Sequence, residues 1–226
     1  MFEGFTDETE AFFAAIRFNN NTDFFHANHD WYERAVRAPM KALLKDLSPA
    51  IELFDPRLDR RPVRVISRIS RDMRYAHNMP MYRDNMWLGF RRADTDRDGQ
   101  PGLYFDISAD GAGCGMGFYL DNKPLMNGLR RSLREDPAPF MEAAVPALRL
   151  FQLEGSAYKR MAVPEDLPDI ARAFYPMRSF WLTRSLDYET THSPALVSEL
   201  ERSYMALKPL YWYLCEIEPV TDEIQP

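Results

Sequence analysis

The residues best equipped for chemistry are Arg68, Arg71, Arg74 and Arg83, which share one short stretch with Tyr75 and Tyr82. Planar guanidinium groups match phosphate and carboxylate oxygens two at a time, and the two tyrosines would line a pocket beside them. Asp72 sits among the arginines, where it can orient one of them or act as a base. His77 follows closely, so Asp72 and His77 are the candidates for acid–base work if any occurs here. In the alternative, Arg71 and Arg74 pair with Asp72, Asp84 or helix glutamates and only lock the loop in shape.

The charge distribution is what singles out this stretch. Residues 57–97 hold 11 Arg, no Lys and 5 acids, a local charge of +6, while the rest of the chain carries 17 Lys+Arg against 29 Asp+Glu. An acidic protein that concentrates arginine in one segment points to an anion there. The net charge of −6 argues against duplex nucleic acid, whose binding rests on a broad basic surface. No apolar run approaches a membrane span. The acidic start of the chain predicts no signal peptide. Two distant cysteines, Cys114 and Cys215, read as reduced thiols in a cytoplasmic protein.

Other motifs carry less. Asp94-Thr95-Asp96-Arg97-Asp98-Gly99 resembles the first half of a calcium loop, with Asp94, Asp96 and Asp98 at positions one, three and five. The match then fails, because Phe105 stands where a bidentate glutamate is needed. His26 and His29 have a helical spacing that suits a metal, but no third ligand comes with them. Gly111 to Gly117 contains a GxGxG string that runs on as strand, so it is a bare strand face and not a dinucleotide fingerprint. Cys114 has no basic partner in sequence and is not proposed as a nucleophile. No metal site or cofactor is expected, and nothing in the sequence fixes an oligomeric state.

These residues must be positioned by a recognisable series of elements. Thr6 caps a first helix with Phe12, Phe13 and Ile16 on its apolar face. Asn21 or Thr22 caps a second, whose stripe is Tyr32, Val36, Met40, Leu43, Leu47 and Ile51, with Pro39 and Pro49 kinking or segmenting it. Val63, Val65 and Ile69 read as a strand, which puts Arg64 and Arg68 on one face. Residues 87–91, 103–107 and 115–120 are further strands joined by Asp-Gly turns. Asp121 or Asn122 starts a short helix and Asp136 another, residues 147–176 are the least readable, and 179–186 reads as a returning strand. A long final helix follows, with Leu196, Leu200, Tyr204, Leu207, Tyr211 and Leu214 on one side. Helices, then strands, then mostly helices predict one α+β domain. A largely antiparallel sheet of about five strands would pack against N-terminal and C-terminal helices.

Several blocks together resemble one family. They are Phe2-x-Gly4-Phe5, Asn19-Asn20-Asn21 followed by Phe24-Phe25, Asn28 and Trp31-Tyr32, then Ser67 through Tyr75, Tyr82-Arg83-x-Asn85, and Arg178 through Arg184. In this order, over nearly the whole chain, they look like the domain of unknown function family numbered 2461. The resemblance implies a single domain, 1–226, and no activity. It departs at Met79-Pro80-Met81-Tyr82-Arg83, where a family lysine has become Met79 and the proline is displaced by one. That bears on any shared function that needs the lysine. The leading expectation is therefore binding of a small phosphorylated or carboxylated ligand by Arg68, Arg71, Arg74 and Arg83, with Tyr75 and Tyr82 lining the pocket and catalysis undecided. The rival is a non-catalytic protein-interaction module whose arginine loop is structural.

Overall fold

Thr6 stands where the sequence asks for a cap. Its backbone is extended, its amide donates to Thr9 Oγ1 at 3.4 Å, and α1 follows over Asp7–Phe18. Asp7, Glu8 and Glu10 occupy the first turn, where carboxylates complement the positive end of the helix dipole. Phe12, Phe13 and Ile16 are wholly buried, as the spacing predicts. The chain is seen here as a computed structural model that describes residues 1–76, 78–93, 99–118 and 120–221. His77, Asp94, Asp96 and Asp98 lie outside the described residues.

The expected second helix is broken into pieces. They are α2 (Thr22–Ala27), α3 (His29–Tyr32), a π-helical turn (Glu33–Arg37) and α4 (Ala38–Phe54). Asn21 caps α2 by accepting from the Phe24 amide at 2.9 Å. Pro39 directly follows the π turn, where the carbonyl of Ala35, four residues earlier, accepts instead from Thr9 Oγ1 at 2.7 Å, and Pro49 lies inside α4. The stripe Tyr32, Val36, Met40, Leu43, Leu47 and Ile51 is buried throughout. Steps of four from Tyr32 through Val36 to Met40 overshoot the 3.6-residue α turn. The wider π turn takes up the excess, so one face stays on the core.

The segment expected as a first strand is not one. Pro62 opens a single helical turn, α5 (Pro62–Val65), because proline at the first helical position presets φ and lacks only an unneeded donor. Beyond it, residues 66–70 pair only at isolated bridges, Ile66 with Leu88 and Ser70 with Tyr82. The sheet is built from β1 (Asn85–Phe90), β2 (Gly102–Ser108), β3 (Gly111–Gly117), β4 (Gln152–Ala157) and β5 (Met177–Leu186). The five strands form one antiparallel sheet in the order β1-β2-β3-β5-β4. The expected strand count holds, but β4 takes the place of the lost first strand.

The remaining helices are α6 (Lys123–Glu135), α7 (Ala138–Leu148), α8 (Asp169–Phe174), α9 (Tyr188–Thr191) and α10 (Ala195–Glu216). Asn122 caps α6 and Asp136 caps α7, each as the sequence suggests. The α10 stripe from Leu196 to Leu214 is buried. The fold is a single α+β domain, and its contacts divide it into two compact units. One comprises Met1–Phe90, Tyr104–Cys114 and Ser185–Arg202, with a core that includes Phe2, Phe5, Phe12, Phe13 and Phe105. The other comprises Arg91–Leu103, Gly115–Arg184 and Ser203–Pro226, where Phe140, Phe174 and Phe180 meet edge to face at 4.9 to 5.1 Å. Among the described residues no helix is long and apolar enough to cross a membrane.

Candidate functional site

The broken helix and the irregular 66–70 segment face one another inside the first unit and enclose an open cavity of about 430 Å³. Its size falls within the range of small-molecule sites. One wall is helical and supplies Phe25, His29, Tyr32, Arg37 and Lys41. The other supplies Pro62, Val63 and Ile66 to Ser70, and Met86 of β1 closes the floor. Tyr32, Ile69 and Met86 are buried, and Phe25 and Ile66 are half-buried, so the floor is apolar. Arg37, Lys41 and Arg68 are exposed at the cavity, and among the described residues no carboxylate lines it.

The helical wall owes its shape to the π turn. His29, Glu33, Arg37 and Lys41 recur every four residues, a spacing the widened turn keeps along one side. Arg37 donates to Glu33 Oε1 at 2.6 Å, and this bond holds the Arg37 pKa above its ordinary value. His29 Nε2 lies 3.9 Å from the same carboxylate oxygen. Lys41 and Arg68 donate no side-chain hydrogen bond and join no ion pair among the described residues. Burial pushes the Tyr32 phenol up to about 12, so it stays a donor, and its hydroxyl rests 3.4 Å from Met86 Sδ, a weak acceptor.

The other sequence candidates take separate positions. Arg71 Nη1 donates to Pro80 O at 2.8 Å and to Tyr82 O at 2.6 Å. It pairs with carbonyls and not with a carboxylate, so the expected bridge to Asp72 is not its partner. Arg83 Nη1 donates to Arg68 O and Ser70 O at 2.7 and 2.9 Å, and its guanidinium lies over the Trp87 ring. Arg83 thus fastens the far wall of the cavity by its own carbonyls, while Arg71 ties the end of that wall to the carbonyls of residues 80 and 82. Irregular backbone lacks ladder partners, and a charged donor supplies them. Tyr82 is buried and stacks on Phe25 with ring centroids 4.4 Å apart, behind the cavity surface.

Asp72 and Arg74 form a local exposed pair, bonded at 2.9 and 2.6 Å. The Arg74 hydrogen bond holds the Asp72 carboxyl below its usual range, which makes Asp72 a poorer base at neutral pH. Tyr75 is exposed beneath the Arg74 guanidinium. Of the sequence candidates, then, the structure puts Arg68 on the cavity and Arg71, Arg83 and Tyr82 directly behind it. Asp72, Arg74 and Tyr75 do not line it. Sequence reasoning missed Arg37, Lys41, Tyr32 and Met86. Arg37 and Lys41 look like the solvated side of an ordinary helix, and only the turn at Glu33–Arg37 sets them beside Arg68. His26 packs on Phe25 and does not line the cavity. Among the described residues no group of three His, Cys, Asp or Glu is placed to hold a metal.

The family model described as "Conserved hypothetical protein (DUF2461)" matches residues 8–213, and the chain belongs to that family. No curated protein matches it.

Proposed function

We propose that this member of family 2461 binds a small organic anion in the cavity between the broken helix and residues 66–70. The observation that carries the reading is the cavity's lining: three cations, an apolar floor and no acid. In a chain of net charge −6, such a lining is not what random surface charge provides. Arg68, Lys41 and Arg37 hold the anionic group, and Phe25, Tyr32, Ile69 and Met86 take the apolar body. Arg83 is a positioning residue, since it holds the backbone that carries Arg68, and Arg71 ties the end of that segment to residues 80 and 82. The ligand is read as soluble and cytoplasmic, which suits a chain whose two cysteines are thiols. Catalysis is not part of the proposal.

The expected outcome is a rise in melting temperature of the parent protein with phenyl phosphate, phenyl sulfate or benzoate at millimolar concentration. Ligand that binds only the native state adds about 2.7 kcal/mol at a hundred times its dissociation constant. Arg68→Ala and Lys41→Ala lose most of that rise at little cost in stability, because neither side chain has an internal partner among the described residues. Arg74→Ala keeps the rise in full. No shift with any of the three at tens of millimolar would refute the reading. It would favour a protein-interaction module instead, for which the exposed Met73, Tyr75, Met79 and Met81 of the arginine loop offer the contact surface.

A further inference from the structure

We infer that the cavity selects a dianion carried on a flat apolar group, that is, an aryl phosphate monoester, over the matching monoanion. This rests on the anion-binding reading above and adds the charge state of the ligand to it. The local charge balance of the lining favours two negative charges. Arg37, Lys41 and Arg68 are the cations on the lining. Among the described residues, Glu33 is the only carboxylate bonded to any of them, through Arg37 at 2.6 Å. Arg68 feels Asp72 at a distance, but that carboxylate is already bonded to Arg74. Three cations against one shared carboxylate leave two positive charges facing the cavity, and these sit on the two side chains with no bonded partner among the described residues.

A sulfate monoester of the same shape, or a free carboxylate, carries one negative charge and would leave one of those positive charges uncompensated. A phosphate monoester above its second ionisation, near pH ~6, satisfies both and presents three acceptor oxygens to two different walls. Arg68 offers a planar fork from one wall and Lys41 a point charge from the other, a combination suited to a tetrahedral group. The apolar remainder of the ligand has a place as well. Phe25 is backed by Tyr82, so its ring is held rigidly, and Tyr32 and Met86 extend the same floor. Such a surface takes the ring of an aryl group. Tyr32 stays protonated and can turn its hydroxyl from the weak sulfur acceptor to a phosphate oxygen.

Phenyl phosphate and phenyl sulfate have the same shape and differ in charge at neutral pH, so titration calorimetry on the full chain isolates the inference. Phenyl phosphate binds roughly tenfold more tightly at pH 7.5, the scale of one added charge-assisted hydrogen bond. At pH 5, where the phosphate carries one proton, the two ligands converge. Arg68→Ala narrows the preference at pH 7.5 to a few-fold or less. Equal affinity of the parent for both ligands at pH 7.5 overturns the dianion inference and leaves anion binding in place. A preference that persists undiminished at pH 5 overturns it too, because it then follows shape and not charge. Binding of neither ligand removes both readings together.

Discussion

At the scale of single residues, the arginine-rich stretch divides its labour by what each guanidinium finds within reach. Arg71 and Arg83 meet carbonyls of an irregular backbone and become fasteners. Arg74 meets Asp72 two residues away and forms an exposed pair of small energetic value. Arg68 meets nothing bonded and is left to face the cavity. A second residue stands out for the opposite reason. Asp106 on β2 is half-buried, joins no hydrogen bond or ion pair among the described residues, and burial raises its carboxyl to about 6. Its folded pKa lies above the unfolded value of about 3.9. Between pH ~4 and ~6 the unfolded chain has therefore lost a proton that the fold retains. Stability falls as pH rises through that window and levels off above it. Asp106→Asn should flatten this decline and raise stability at pH 7 by about 1–3 kcal/mol. Urea unfolding at pH 4 and pH 7 measures the difference, and an equal effect at both pH values counts against the account.

At the scale of elements, two features depend on close backbone approach or unusual winding. The π turn keeps both the core stripe and the cationic row in register along one broken helix. In the second unit, Gly155 of β4 lies opposite Phe180 of β5 with a φ of +149°. A Cβ there would stand 2.3 Å from Ser179 O, a backbone atom that cannot swing aside. Gly155→Ala should cost about 1–3 kcal/mol or more, the scale of forced overpacking with added strain. Gly89→Ala on β1 is the control, since its Cβ would meet only the Trp87 ring at 3.6 Å. Denaturant midpoints for the two variants give the comparison. Similar midpoints would mean that the β4–β5 approach is looser than it looks.

At the scale of the whole molecule, the chain is acidic, and the cavity is a local exception. On the proposed reading, the net charge opposes the approach of an anionic ligand, and Arg68 and Lys41 outweigh it only at close range, where distant charges are screened. Affinity for phenyl phosphate should still fall several-fold when ionic strength rises from about 0.05 to 0.5 M, because both positive groups are exposed and screened. Affinity that does not change with salt would place the binding energy in the apolar floor alone.

Periodicity and capping determined much of the architecture before any tertiary contact is considered. The caps at Thr6, Asn21, Asn122 and Asp136 and the stripes from Tyr32 to Ile51 and from Leu196 to Leu214 were legible, because each is a local pattern that repeats within a few residues. The α+β class and the antiparallel sheet follow from their order. Residues 62–70 were misread because Pro62 and the apolar Val63, Val65 and Ile69 suit a strand and a helical turn alike. β4 was invisible for a different reason. As an edge strand it keeps most of its side chains in solvent and is held by backbone bonds to β5, so Gln152–Ala157 carries no alternating pattern. The arginine concentration was plain in the sequence, but not which arginine is available. That depends on carbonyls and carboxylates brought near by the fold, as with Arg71 at Pro80 and Tyr82 and Arg83 at Arg68 and Ser70. Bringing Arg37 and Lys41 opposite Arg68 is likewise a tertiary outcome, since about thirty residues of chain separate them and only packing across the cavity makes them neighbours.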